Sequence, residues 1–174
     1  MNEWLILITG PKHSGKSMTS RALEKITGRE AADLDELVER QTGKTPRELF
    51  KEGAEIFRKA EARALASLMQ SLKFGIIAAG GGIIDNSEAL ALLSRREKII
   101  TVYLDVSAET AWQRIQSTAA GGELPPFLNT EDPRGTHRAL HTRRGEAYKA
   151  FAGITIAADN KTPEEIAGEI VKFL

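Results

Sequence analysis

The chain has 174 residues, with 24 Lys and Arg balancing 24 Asp and Glu, and it contains no cysteine. A chain of this length buries roughly 70% of its unfolded surface, so one domain over residues 1–174 is expected. Zero net charge excludes attachment to nucleic acid or anionic lipid by bulk charge, and the missing cysteines exclude disulfides, cysteine zinc sites and thiolate nucleophiles.

In chain order, Leu5 to Ile8 is a short apolar run that stops at Thr9-Gly10, as a buried parallel strand does. Lys16 to Ile26 predicts a helix closed by Thr27-Gly28. A brief strand is expected at Ala31-Ala32, then a helix over Leu34 to Gln41 that stops at Thr42-Gly43. Thr45 as N-cap and Pro46 at the first helical position open a long helical pattern. Its apolar residues Leu49, Phe50, Phe57, Ala60, Ala64, Leu65, Leu68 and Leu72 recur at helical spacing, and Gly53 is a point where it divides in two.

Phe74 to Ala79 is the next apolar run, a helix is expected from Ser87 to Ser94, and Ile99 to Leu104 is a third buried strand. Ser107 caps a helix through Arg114. Glycines and prolines crowd Ala119 to Pro133, including Gly121 and Gly122, which predicts a mobile loop or lid. A helix from about Thr136 to Phe151, a strand at Ile154 to Ala157 and a helix opened by Thr162-Pro163-Glu164-Glu165 complete the chain. Strands alternating with helices imply an α/β fold, a parallel sheet covered on both faces. Met1 to Ile8 is too short for a signal peptide and carries Glu3, and no later apolar run reaches the roughly 18 residues of a membrane span. A cytoplasmic monomer without membrane or nucleic-acid partner is the expectation.

The strongest motif is Gly10-Pro11-Lys12-His13-Ser14-Gly15-Lys16-Ser17, a full phosphate-binding loop between an apolar strand and a helix. Glycines let successive N–H groups point at phosphate oxygens, and the helix that follows offers its positive end. Lys16 is expected on the outer phosphates and Ser17 on magnesium, which makes the chain a nucleoside triphosphate binder. In Asp33-Leu34-Asp35, the first carboxylate suits the metal and the second an acceptor hydroxyl; the alternative is a pair of helix N-terminal acids. Arg58 lies in the long amphipathic helix, with Glu61 three residues on as an ordinary partner. Gly80-Gly81-Gly82 brings backbone N–H groups close to a ligand or makes a plain turn. Arg134, His137, Arg138, His141, Arg143, Arg144 and Lys149 form a basic stretch in which Arg144 and Tyr148 share a helix face and Arg143 turns away. One of these arginines can fork onto an anionic substrate; nucleic acid is disfavoured because the overall charge is zero.

The order of these motifs resembles the shikimate kinase family over nearly the whole chain, from Leu5 to the last helix. The resemblance implies a three-layer P-loop kinase fold, a five-stranded parallel sheet in order 2-3-1-4-5 flanked by helices. It implies acceptor-binding helices at about residues 34–72, a lid at about 119–134, and transfer of phosphate from ATP, with Mg2+, to the 3-hydroxyl of shikimate, a small-molecule substrate. By matching positions, Lys16 and Ser17 serve phosphate and magnesium, Met18 follows in the nucleotide site, and Asp33 supports the metal. Asp35 is the candidate base, Arg58 and Arg144 hold the carboxylate, and the amides of Gly80, Gly81 and Gly82 meet ring hydroxyls. Arg114 matches the residue that packs on adenine, with Lys161 in the Asp159–Pro163 loop opposite.

The family's lid carries Arg-Pro-Leu-Leu; here the stretch is Leu124-Pro125-Pro126-Phe127-Leu128, with no Arg or Lys from Ile115 through Pro133. Such an arginine is worth about 10³ to 10⁵ in rate in phosphoryl transfer. Lys12 and Arg134 are the candidate replacements; the alternatives are another small carboxylated polyol as acceptor, or a nucleotide-binding module with little turnover.

Overall fold

A computed structural model describes residues 4–71, 74–119 and 123–174; Leu72, Gly121 and Gly122 lie outside them. The five strands are β1 (Leu5–Thr9), β2 (Glu30–Asp33), β3 (Phe74–Ala78), β4 (Ile99–Asp105) and β5 (Ile154–Ala157). They pair in parallel in the order β2-β3-β1-β4-β5, as expected. β1 is central and buried along its length, because helices cover both faces and every residue of it is apolar except Thr9. Successive side chains take opposite faces: Leu5 and Leu7 join one core cluster with Ile77 and Tyr103, and Ile6 and Ile8 join another with Ile76, Val102 and Leu104.

Helices α1 (Lys16–Thr27) and α8 (Pro163–Val171) cover the second face through Leu23, Ile166 and Ile170. The first face is covered by α2 (Leu34–Thr42), α3 (Pro46–Glu52), α4 (Ala54–Gln70) and α5 (Ser87–Ser94). Gly53 does divide the long helical pattern: it closes α3, donating to the Leu49 carbonyl at 3.1 Å, and opens α4. The Thr45 and Thr162 capping boxes are complete.

Two boundaries differ from expectation. Helix α6 (Ala108–Ala119) runs five residues beyond Arg114, because Ile115 is buried and Ser117 and Thr118 bond back to the Arg114 carbonyl. Helix α7 (Pro133–Phe151) starts at Pro133, not near Thr136, since Asp132 caps it by accepting from the Gly135 N–H at 2.9 Å. Within the glycine- and proline-rich stretch, Pro126–Leu128 forms a 3₁₀ turn, and Leu128 is fully buried against Trp112 and Ile115.

Leu65 of α4 has no exposed surface, whereas Ile56 one turn from its start is 48% exposed. Leu65→Ala should therefore cost about 2–5 kcal/mol in denaturant unfolding, and Ile56→Ala at most about 0.5 kcal/mol.

Candidate active site

The site lies beyond the carboxyl ends of β1, β2 and β3, on one cavity of about 710 Å³. Its floor is the loop between β1 and α1. Gly10 has φ +146°, and a Cβ there would stand 2.8 Å from Ser14 Oγ and 2.9 Å from the Leu104 carbonyl oxygen, so no side chain fits the curl. Gly15 (φ +93°) precedes α1, and His13 (φ 61°) takes the left-handed conformation between them. Burial and the charges of Lys12, Lys16 and Arg114 hold the His13 imidazole down at about 4.

The Lys16 ammonium is buried and donates to the carbonyls of Gly10 (3.0 Å) and Pro11 (2.7 Å). Burial lowers its pKa to about 8, with Asp35 and Asp33 opposing the shift. Ser14 Oγ is buried beside Gly10 without a hydrogen-bond partner. The Arg114 guanidinium donates to the His13 carbonyl at 3.0 Å, bracing the loop from α6. Met18, Arg114 and Lys161 line the cavity; Lys161 is also paired with Glu169 at 2.7 Å.

Asp33 does two things at once. One carboxylate oxygen caps α2 through the N–H groups of Asp35 (2.9 Å) and Glu36 (3.3 Å), and the other accepts from the Ser17 hydroxyl. Ser17 Oγ and Asp33 thus form a hard-oxygen pair of the kind magnesium takes when phosphates and water complete its octahedron. Asp35 Oδ1 is buried without a partner, and burial followed by the Asp33 charge raises its pKa.

Opposite Asp35 stand the three glycines. A Cβ on Gly80 would fall 2.8 Å from Asp35 Oδ1 and 2.7 Å from Glu61 Oε1, and one on Gly81 2.9 Å from the Lys12 backbone nitrogen. Tyr148 Oη donates to the Gly81 carbonyl at 2.9 Å and lies 3.2 Å from the Gly10 carbonyl, while Arg144 Nη1 donates to Gly81 at 3.0 Å. Arg144 also grips Asp85 at 2.7 Å, and its guanidinium lies 5.9 Å from the Phe127 ring centre. Arg143 does not simply turn away: it forks onto the same Asp85 at 2.7 and 3.0 Å.

The cavity therefore brings together most of the residues singled out in the sequence: Lys12 through Met18, Asp33, Asp35, the triple glycine, Arg114, Arg144 and Lys161. Arg58 is not on its lining; its guanidinium lies 3.8 Å from Glu55, and Phe57 faces the cavity instead. Of the two candidate replacement cations, Lys12 lines the cavity, whereas Arg134 points outward to Glu109 at 2.9 Å.

Glu61 departs from its expected role as a surface partner of Arg58. It is fully buried, accepts from Asn86 Nδ2 at 2.8 Å through Oε2, and leaves Oε1 unpartnered beside Gly80. Its position in sequence carried the signal: Phe57, Glu61, Leu65 and Leu68 fall on one helical stripe, so an acid sits where the core face needs an apolar residue. Asp85 and Asn86, at the end of a 3₁₀ turn over Ile83–Asp85, carried no comparable signal.

Residues 12–174 match the family model described as shikimate kinase. A shikimate kinase of Marinomonas sp. (strain MWYL1) is 33% identical over 169 residues, covering 95% of this chain and 89% of the relative. One from Symbiobacterium thermophilum is 33% identical over 173 residues, covering 97% and 95%. Among solved structures, a shikimate kinase from Acinetobacter baumannii in complex with shikimate superposes with a TM-score of 0.85 at 31% identity, covering 98% of this chain and 93% of that one.

Burial is the chief cause that raises the Glu61 carboxyl from its ordinary 4.5 to about 7, the Asn86 hydrogen bond opposing it. Because the folded value exceeds the unfolded one, the native state binds more protons between them, and stability is lost as pH rises through about 7. Glu61→Gln keeps an acceptor for Asn86 and removes the titration. The variant should gain on the parent chain in denaturant midpoint between about pH 5 and pH 8; a parent chain that gained instead would contradict the assignment.

Proposed function

The chain belongs to the shikimate kinase family, and from that premise we propose that it transfers the terminal phosphoryl group of ATP to the 3-hydroxyl of shikimate, giving shikimate 3-phosphate and ADP. The observation that carries this reading is Asp35, which lines the same cavity as Lys16 and Arg144 and keeps one carboxylate oxygen unpartnered beside Gly80. Among the described residues the other carboxylate on the cavity is Asp33, whose oxygens are already engaged by Ser17 and the N–H groups of α2.

In this reading residues 1–174 act as one kinase domain, with residues 34–72 holding the acceptor and residues 119–134 forming the lid. When bound, ATP supplies the phosphoryl group and magnesium, held by Ser17 with Asp33 behind it, screens its charge. The chain contributes position and field. Lys12 to Ser17 cradle the phosphates, Gly10 and Pro11 hold the Lys16 ammonium through their carbonyls, Lys16 draws the outer oxygens, and Arg114 and Lys161 border the base. Asp35 orients the acceptor hydroxyl and takes its proton; burial, which holds that carboxyl above its ordinary range, keeps it basic enough to do so. Arg144 anchors the acceptor carboxylate, the Gly80–Gly82 amides meet ring hydroxyls, and Arg58 joins only if its side chain leaves Glu55. Lys12, which faces the cavity, is the cation for the transferred group.

A second reading, another small carboxylated polyol, is favoured by one feature: Asp85 already occupies part of the Arg144 guanidinium. The purified protein with magnesium-ATP should release ADP faster when shikimate is added, and Asp35→Asn should lower kcat by about 10² to 10⁴. No acceleration by shikimate, but acceleration by a different hydroxy acid, would transfer the assignment to the second reading. Turnover unaffected by Asp35→Asn would remove the proposed base. Arg144→Ala should raise the KM for the acceptor by roughly 10- to 100-fold while leaving that for ATP near its original value.

A further inference from the structure

The segment that roofs the cavity, residues 123–128, is held at two places by different forces. On the α6 and α7 side, Leu128 is sunk between Trp112 and Ile115, an apolar pin. On the opposite side, α3 reaches it with a charged side chain. Arg47 Nη1 donates to the Glu123 carbonyl at 3.1 Å, and Nη2 donates to the Glu123 carboxylate at 2.9 Å and to the Leu124 carbonyl at 3.0 Å. Lys51, one turn along α3, adds a contact to the same carboxylate at 3.3 Å. Pro46, Arg47 and Phe50 line the cavity from below, and Pro125, Pro126 and Phe127 from above, so the join lies across its mouth.

We infer that Arg47 and Glu123 are positioning residues that clasp the roof segment to helix α3 and so hold water out of the transfer site. Three features of the join support this. Arginine's planar fork is used on two successive backbone carbonyls as well as on a carboxylate, which fixes the segment's path and not merely its proximity. Glu123 is drawn below its ordinary pKa, first by the Lys51 and Arg47 hydrogen bonds, so the clasp is charged at neutral pH. The segment itself carries no Arg or Lys from Ile115 through Pro133, so the cation that fastens it must come from elsewhere, and α3 supplies it. An exposed ion pair alone adds little to stability. Its effect here is expected in closure, where it joins the nucleotide-side roof to the acceptor-side helix and stops water from replacing the acceptor as nucleophile.

The inference rests on the kinase reading only for its catalytic arm, so the test has two arms. The first needs no catalysis: in the ligand-free protein, Arg47→Ala and Glu123→Ala should each be nicked within residues 119–133 at least several-fold faster than the parent chain, with circular dichroism unchanged. The second measures ADP released per shikimate phosphorylated. Each single variant should raise that ratio, and raise the acceptor KM, with little change in the KM for ATP. Arg47→Glu should be worse than Arg47→Ala, and the exchanged pair Arg47→Glu with Glu123→Arg should recover much of both readouts. Parental nicking and coupling in the single variants would overturn the clasp, as would an exchanged pair no better than Arg47→Glu alone. A fall in kcat with unchanged coupling and nicking would also overturn it, and would make Arg47 a ligand of the transferred phosphate. If nicking accelerates but no variant, nor the parent, phosphorylates shikimate, the clasp stands and the acceptor assignment falls.

Discussion

Everything at this site is arranged around one buried positive charge. The Lys16 ammonium sits at the end of a strand with almost no contact with water, and two peptide carbonyls are all that replace its hydration. Dipoles offset only part of a desolvation penalty, which is why its pKa falls to about 8 even with Asp35 and Asp33 nearby. Those two carbonyls point inward only because the loop curls at Gly10, where the neighbouring Leu104 carbonyl leaves no room for a Cβ. The same Gly10 carbonyl lies within 3.2 Å of Tyr148 Oη, so the curl is tied across the sheet to Gly81 and to α7. A loop built this way favours a polyanion, since the missing counter-charge is what the ammonium lacks.

The acid side follows from the same constraint with the sign reversed. Asp35 and Glu61 both bring a bare oxygen to Gly80, and both are pushed up by burial, with the Asp35 charge adding to the difficulty of ionising Glu61. They remain distinct because their surroundings differ. Glu61 has Asn86 as a fixed donor, while Lys16 and Lys12 pull Asp35 back toward the charged form. Both carboxyls are raised by burial, but the lysines act on Asp35 alone, so the two neighbours differ in the charge that surrounds them.

Sequence made the fold legible wherever a local rule acted. Apolar runs marked β1, β3 and β4, the first two ending at glycine, and capping residues marked α2, α3 and α8. It was less informative where a distant contact decided the outcome. Helix α6 continues past Arg114 because Ile115 finds Leu128, thirteen positions later, and no property of the segment alone announces that. Arg58 shows the same limit at the site. Its neighbour in sequence is a cavity residue, but its guanidinium lies beside Glu55, on the outer face of α4. Glu61 was legible in principle, since a charge on an apolar stripe contradicts the pattern around it; pairing it with Arg58 by spacing alone hid that.

Zero net charge thus conceals a steep local division. Cations on the β1–α1 loop, α6, α7 and the loop before α8 face one cavity with Asp33 and Asp35, and Asp85, off its lining, balances Arg143 and Arg144. The roof segment sits at the boundary of that division, and its two anchors differ in kind. Burial of Leu128 is indifferent to ionic strength, whereas Arg47, Glu123 and Lys51 are 40%, 76% and 55% exposed and lie within reach of screening ions. The apolar pin is therefore the fixed end and the charged join the releasable one. Raised ionic strength should therefore weaken the hold at α3 and leave the seat of Leu128 on Trp112 and Ile115 largely intact.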